Sequence, residues 1–325
     1  MTTNNLYYIP EATASDGQNT AAVNYRDWIV AARPWSFIMT AVSVTAGAIL
    51  ALTMSGRFYP LLALLTLAGT VAAHAATNLV NDYFDTVYGV DKQGAPTTQY
   101  RPHPLLDNVF SPHRVIMLSV ALYAFSALIA TYLTVLRGWP VAAIALAGGI
   151  ISVTYTAGPV SLKYRGLGEI FVFLIWGPIL TVGSYFVQTG SWSGSITALW
   201  TSLPLGIWVA LVLLANNLKD LNYDAQTKIV FTTAIRLGRE KGLKLFTLLL
   251  FSAYSLTVLA IVLGHLPALA IIVFFSLPMA LRLLGSFRNA RDLPADADPQ
   301  TAQLSAVFGA LLILSLLMGY IISLF

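Results

Sequence analysis

The chain has 325 residues, of which 57% are hydrophobic and 10% charged, with a formal net charge of +4 and no cysteine. Soluble domains carry ~25% charged residues, so this composition excludes a soluble globular protein, a disordered chain and a coiled coil. The absence of cysteine excludes a disulfide framework, a thiol nucleophile and thiolate metal ligands.

The first 25 or so residues are polar and hold no apolar core, which predicts a mobile tail over 1–30 and no cleavable signal, ahead of one membrane domain over 31–325. A helix crossing a ~30 Å hydrocarbon core needs ~20 residues, and nine of them would use about 180. Nine apolar stretches follow, near 35–54, 59–80, 114–136, 139–156, 168–188, 196–218, 244–264, 266–284 and 303–324. They are helix-length and lack the ~10-residue alternation of outer-membrane strands. The fold class expected is all-α, a polytopic membrane protein with nine transmembrane helices.

Of the 18 basic residues, all but Arg57 and Arg137 fall on the side of the N-terminus once nine spans are threaded through a membrane. Cytoplasmic loops are enriched in Lys and Arg, so the N-terminus is expected in the cytoplasm and Phe325 outside. All 14 acidic residues sort to that same side. Ionisable chemistry confined to one face predicts a site opening to the cytoplasm.

In chain order, the second stretch runs into His74-Ala-Ala-Thr-Asn78-Leu-Val-Asn81-Asp82-Tyr-Phe-Asp85 and on to Gly89-Val-Asp91. On a helix, Asn78, Asn81, Asp82 and Asp85 share one stripe. His74 lies one turn earlier on that stripe and is expected to be buried and hydrogen-bonded. The sixth stretch ends as Asn216-Asn217-Leu-Lys219-Asp220-Leu-Asn-Tyr-Asp224, which puts Asn217, Asp220 and Asp224 on one face. His103, His113 and His265 are scattered and receive no role.

An Asp near the centre of a membrane helix costs ~2.5–3.5 kcal/mol, and like charges within a turn repel. Two Asn/Asp clusters at helical spacing therefore call for a cation. Carboxylate and amide oxygens suit a hard ion, Mg²⁺ above all, which prefers one or two carboxylates completed by waters and phosphate oxygens. Asn78, Asn81, Asp82, Asp85, Asn217, Asp220 and Asp224 are the expected ligands. With basic residues nearby, the arrangement predicts a site for a Mg²⁺-bridged diphosphate. A transporter with an intramembrane carboxylate site is the rival class, but such sites lie at mid-membrane on broken helices, whereas these clusters lie at helix ends.

Asn78-x-x-Asn81-Asp82-x-x-Asp85 and Asn216-Asn217-x-x-Asp220-x-x-x-Asp224 together resemble the paired motifs of the UbiA superfamily of membrane prenyltransferases. Ala32-Arg33-Pro34-Trp35 is similar to that family's first-span opening, and Tyr155-Thr-Ala-Gly158-Pro159 followed by Gly166-Leu-Gly168-Glu169 to its fourth and fifth spans. The closer branch resembled is that of the 1,4-dihydroxy-2-naphthoate prenyltransferases. The chain departs from the pattern after Asp224, where the run to Thr232 is one residue longer and Phe231 stands at a position that is often basic. Arg101-Pro-His-Pro104 looks more like other branches.

The resemblance implies nine helices around a central cavity, Mg²⁺ dependence, and transfer of a polyprenyl chain from its diphosphate to an aromatic acceptor, with demethylmenaquinone as the product in the naphthoate branch. Acceptors such as 4-hydroxybenzoate or homogentisate are the alternative. Arg33, Arg101, Lys163 and Lys228 are expected at the diphosphate, and Asp85, Asp220, Tyr155 and Lys163 in catalysis, with Tyr155 and Lys163 toward the acceptor. The resemblance also implies a bacterial or archaeal cytoplasmic membrane, lipid surroundings and no nucleic-acid partner.

Overall fold

The computed structural model describes residues 25–227 and 229–325; the segment 1–24 and Lys228, with the role expected of it, lie outside the described residues. Among these residues all regular structure is helical. Nine helices are long and apolar enough to cross a membrane: Pro34–Ser55, Pro60–Val87, Pro112–Arg137, Trp139–Thr156, Gly168–Thr189, Ser195–Lys219, Thr233–Val262, Ala268–Asn289 and Ala297–Ser323. They are called the first to ninth spans.

The expected stretches are all present, and the differences have local causes. The second span runs on to Val87 because nothing after its apolar part breaks a helix until Gly89, which takes a φ of 69°. Its 28 residues extend about 42 Å, well beyond a ~30 Å core, so the Asn/Asp motif sits at the interface end rather than at mid-membrane. The seventh span starts early because Thr232 caps it, accepting a hydrogen bond from the Ile235 backbone N–H at 3.3 Å; Gly238 then kinks it. Residues 25–31, expected within the tail, form a short helix whose Trp28 stacks on Phe110 at 3.6 Å between ring centroids.

Apolar side chains gain nothing by leaving lipid for one another, so close approach has to hold the spans together. A Cβ on Gly206 of the sixth span would lie 2.6 Å from the Phe173 carbonyl oxygen of the fifth, so only glycine permits that crossing. Beside it the fifth span carries one π-turn, Ile175–Ile179, containing Pro178. The sixth span is the centre of the bundle, with 72% of its most apolar window buried against 11% for the fourth. Trp208, on the sixth span, packs on Phe308 and Tyr254. At the end of the bundle away from the Asn/Asp motifs, Arg57 and Arg137 donate to the Thr189, Val187 and Gln188 carbonyls and so satisfy the last turn of the fifth span. These two arginines act as helix caps.

A cavity of about 1230 Å³ opens between the first six spans, with the start of the ninth at one end. Its wall is mostly apolar and includes Met39, Ile144, Ile151, Tyr155, Phe171 and Trp176, with Arg33, Asn78, Asn81, Lys163 and Asn216 at its polar end.

Candidate active site

The stripe on the second span fans out toward three partners. Asn78 turns to the first span, its Nδ2 donating to the Ala32 carbonyl and to Ser36 Oγ at 2.9 and 3.2 Å. Asn81 and Asp85, one turn apart, bond to each other at 2.8 Å and face the segment after the fourth span. Asp82 is fully buried and accepts on the single oxygen Oδ1 from Arg33 and, at 2.7 Å, from Arg101.

Arg33 lines the cavity, whereas Arg101 lies behind it with its side chain 1% exposed and does not reach the cavity wall. Arg33 has a left-handed backbone, φ 59° and ψ 61°, which costs a non-glycine residue of order 1 kcal/mol and needs support. A chain of hydrogen bonds supplies it. Trp176 Nε1 can only donate and does so to Thr40 Oγ1 at 2.9 Å; the Ser36 hydroxyl gives its one proton to the Arg33 carbonyl at 2.7 Å. Between them, His74 therefore accepts from Thr40 at Nδ1 (2.9 Å) and donates from Nε2 to Ser36 (3.3 Å). His74 is buried and bonded as expected, and its tautomer follows from its neighbours. His74→Phe breaks the chain and leaves buried polar groups unpaired, at ~1–3 kcal/mol. The expected result is a fall in kcat/KM for the substrate that Arg33 meets in the cavity of about 5- to 150-fold. His74→Gln, which keeps a donor toward Ser36, should lose less; equal losses in the two variants, measured by steady-state kinetics, would remove this role.

Asp85 is met from the other side. Lys163 Nζ lies 2.6 Å from Oδ2 and also donates to Asn81 Oδ1 at 3.1 Å, while Tyr164 donates its phenol to Oδ1. Thr156 completes Asn81 at 2.9 Å. Burial alone would lower the Lys163 ammonium, but Asp85 outweighs it and holds the group above its ordinary value. Lys163 thus arrives charged at the cavity. Tyr155 lines the same wall.

At the end of the sixth span the helix breaks at Asp220 and a short helix, Leu221–Thr227, carries Asp224. Asn217 donates to Glu169 Oε1 at 2.9 Å, and Thr233 to Glu169 Oε2 at 2.8 Å, so Glu169 ties the fifth, sixth and seventh spans together. Lys219 pairs with Asp298 of the ninth span at 2.7 Å and lies 3.8 Å from Asp220, whose Oδ1 is buried with no hydrogen-bond partner.

Burial pushes the Asp220 carboxyl up to about 6, Asp298 adding to the rise against Lys219. Burial and then Asp220 push Asp224 up to about 7. Asp85, Asp91 and Lys163 also act on Asp224 through their charges, so the two clusters lie within electrostatic reach of each other. Above pH ~7 both carboxylates are ionised and ready for a cation. As pH falls through ~7 and then ~6, each takes a proton that the cation must displace. Half-saturation by Mg²⁺ should therefore rise as pH is lowered from about 8 to about 6, by up to ~10-fold per pH unit for each displaced proton. A flat profile in Mg²⁺ titrations of activity would remove these two residues as ligands.

Sequence reasoning passed over several residues. His103, given no role, is fully buried; its Nδ1 accepts from the Leu105 and Leu106 backbone N–H groups, which puts the proton on Nε2, 3.4 Å from Asp91 Oδ2. Asp91, Tyr164 and Asp298 also belong to the site. Only Asp91 carried a signal, its place in the first motif.

The profile of the UbiA prenyltransferase family matches residues 40–308. UbiA prenyltransferase domain-containing protein 1 of Danio rerio is 30% identical over 294 residues, covering 90% of this chain and 84% of its own. The fold is that of a UbiA homolog from Aeropyrum pernix K1, at TM-score 0.67 and 17% identity over 89% of this chain and 98% of that one. A UbiA homolog from Archaeoglobus fulgidus bound to GPP and Mg²⁺ aligns at TM-score 0.60 and 15% identity, covering 89% of this chain and 99% of that one. The curated relatives are animal, and they give no support to the bacterial or archaeal source expected from the sequence.

Proposed function

The chain belongs to the UbiA prenyltransferase family, and from that premise we propose that it transfers a polyprenyl chain from its diphosphate to 1,4-dihydroxy-2-naphthoate, on the cytoplasmic side of its membrane. The observation that carries the reading is the polar end of the cavity, where Arg33, Lys163, Asn81 and Asn216 line an apolar chamber and Lys163 is paired with Asp85 just behind the wall. No soluble-substrate site needs about 1230 Å³ of mostly apolar wall next to such charge. An isoprenoid diphosphate needs both.

The donor set fits Mg²⁺: it is all oxygen, and the buried Asp220 Oδ1 has no hydrogen-bond partner. Asp85, Asp220 and Asp224 would hold the ion, with Asn78, Asn81 and Asn217 around them; when bound it neutralises charge on the departing diphosphate. Lys163 and Arg33 take the remaining charge as the allylic C–O bond breaks and its electron pair leaves with the diphosphate. Trp176, Tyr155 and Phe171 face the allyl cation and exclude water. A ring carbon of the acceptor then supplies the electron pair of the new C–C bond, and the ring carboxylate departs as CO₂. Lys163 offers that carboxylate a counter-charge and Tyr155 a hydrogen-bond donor.

The test is product identification by mass spectrometry with purified protein, Mg²⁺, a polyprenyl diphosphate and each acceptor in turn. Prenylated naphthalene is the expected product. Turnover of 4-hydroxybenzoate or homogentisate, with the naphthoate untouched, would replace the acceptor and leave the prenyl transfer standing.

A further inference from the structure

We infer that Asp82 is not a metal ligand but the counter-ion that, with Arg101 behind it, aims the Arg33 guanidinium at the diphosphate. The inference rests on the prenyl-diphosphate reading of the cavity.

Four observations carry it. Arg33 and Arg101 come from segments 49 and 19 residues away from Asp82, and both place an Nη2 on the same oxygen, Oδ1. Two guanidiniums so close repel each other unless a carboxylate lies between them, and Asp82 is that carboxylate, with no exposure of its own. Only Arg33 reaches the cavity, its side chain 20% exposed against 1% for Arg101. The pair behind it is therefore a support, not a contact. His103 Nε2, which carries the ring proton because Nδ1 accepts from Leu105 and Leu106, is buried without a hydrogen bond and lies 3.4 Å from Asp91 Oδ2 and 4.0 Å from Asp82 Oδ1.

The rival is a metal held by Asp82, Asp91 and His103, whose ligand atoms lie within 4.8 Å of one another. It meets two objections. An imidazole nitrogen that carries a proton cannot ligate, and a dication at Asp82 would sit against two fixed guanidiniums. The rival's one support is Asp82 Oδ2, buried without a hydrogen-bond partner, but a cation there would face the same two guanidiniums across one carboxylate. The first motif thus divides in two: Asp85 serves the cation and Asp82 serves the anion.

The experiment measures two affinities on the purified full chain: Mn²⁺ by EPR, and geranyl diphosphate by calorimetry at saturating Mg²⁺. D82N should weaken geranyl diphosphate at least tenfold and change Mn²⁺ binding less than twofold, while D85N weakens Mn²⁺. R101Q should repeat the D82N pattern, and D82E should recover part of the loss. On an R33Q background neither D82N nor R101Q should weaken geranyl diphosphate further, because both act through Arg33. A tenfold loss of Mn²⁺ in D82N, or losses that add to that of R33Q, would overturn the assignment. If D82N does not fold, R101Q and R101Q/R33Q decide by the same criteria. A wild-type chain that binds no geranyl diphosphate would instead remove the reading of the cavity itself.

Discussion

Asp85→Asn should reduce kcat/KM by at least about 10²–10³-fold, the loss that follows when one preorganised electrostatic partner of a developing charge is removed. Asp85 is the carboxylate on which the first cluster converges. Lys163, Asn81 and Tyr164 all bond to it, and its charge is felt at Asp224 on the second cluster. Asparagine keeps the volume and one acceptor oxygen but not the charge, so the nine spans still pack. The expected signature is loss of turnover with an unchanged elution profile in detergent, and a melting temperature lowered by the loss of the Lys163 ion pair rather than by unfolding. Asp220→Asn should lose turnover likewise, since its buried Oδ1 has no hydrogen-bond partner and only Lys219, 3.8 Å away, near it. Near-normal turnover of both variants at saturating Mg²⁺ would dismiss the two-cluster site.

Lys163→Ala should damage both catalysis and stability. Its Nζ touches Asp85 and Asn81 and also faces the cavity, so its loss removes a charge from the diphosphate and leaves Asp85, 3% exposed, without its ion-pair partner. Stranding one member of a buried pair costs ~3–5 kcal/mol. The melting temperature should fall, and kcat/KM should fall by about 10²-fold or more. The double variant Asp85→Asn/Lys163→Met should regain most of the stability and none of the activity, because it removes the uncompensated charge without restoring the site. If Lys163→Ala melts like the parent chain, the pair carries no structural weight.

The spans were legible because length and hydropathy alone decide what can cross a membrane, and their order then aligned Asp85 and Asp220 at one end. Asn81 and Asp85 were legible as a helical pair for the same reason. What stayed hidden depends on segments without a period. His103 enters the site only because residues 101–108 fold back on themselves, with Asp107 holding the His103 N–H at 2.7 Å and the Leu105 and Leu106 amides holding its ring. The burial of Arg101 behind Arg33 follows from the same loop and cannot be read from an Arg-Pro pair. The π-turn at Ile175–Ile179 is likewise silent in the sequence beyond Pro178, although it presents Trp176 to Thr40 and so begins the chain of bonds that ends at Arg33.

The thin packing of the fourth span has a consequence for how this protein can change over generations. Gly148 and Gly149 line the chamber, and a methyl group added at either would meet nothing within 4 Å. At most positions of the crowded sixth span, selection for a folded chain and selection for a working one act on the same atoms. On the fourth span they separate. A larger side chain at these two glycines takes volume from the chamber and none from the bundle, and replacing glycine within a helix adds up to ~1 kcal/mol of helix preference. Drift can therefore explore new substrates along this wall at little risk to the fold, and a directed library confined to these two positions should yield mostly folded variants that differ in what they accept.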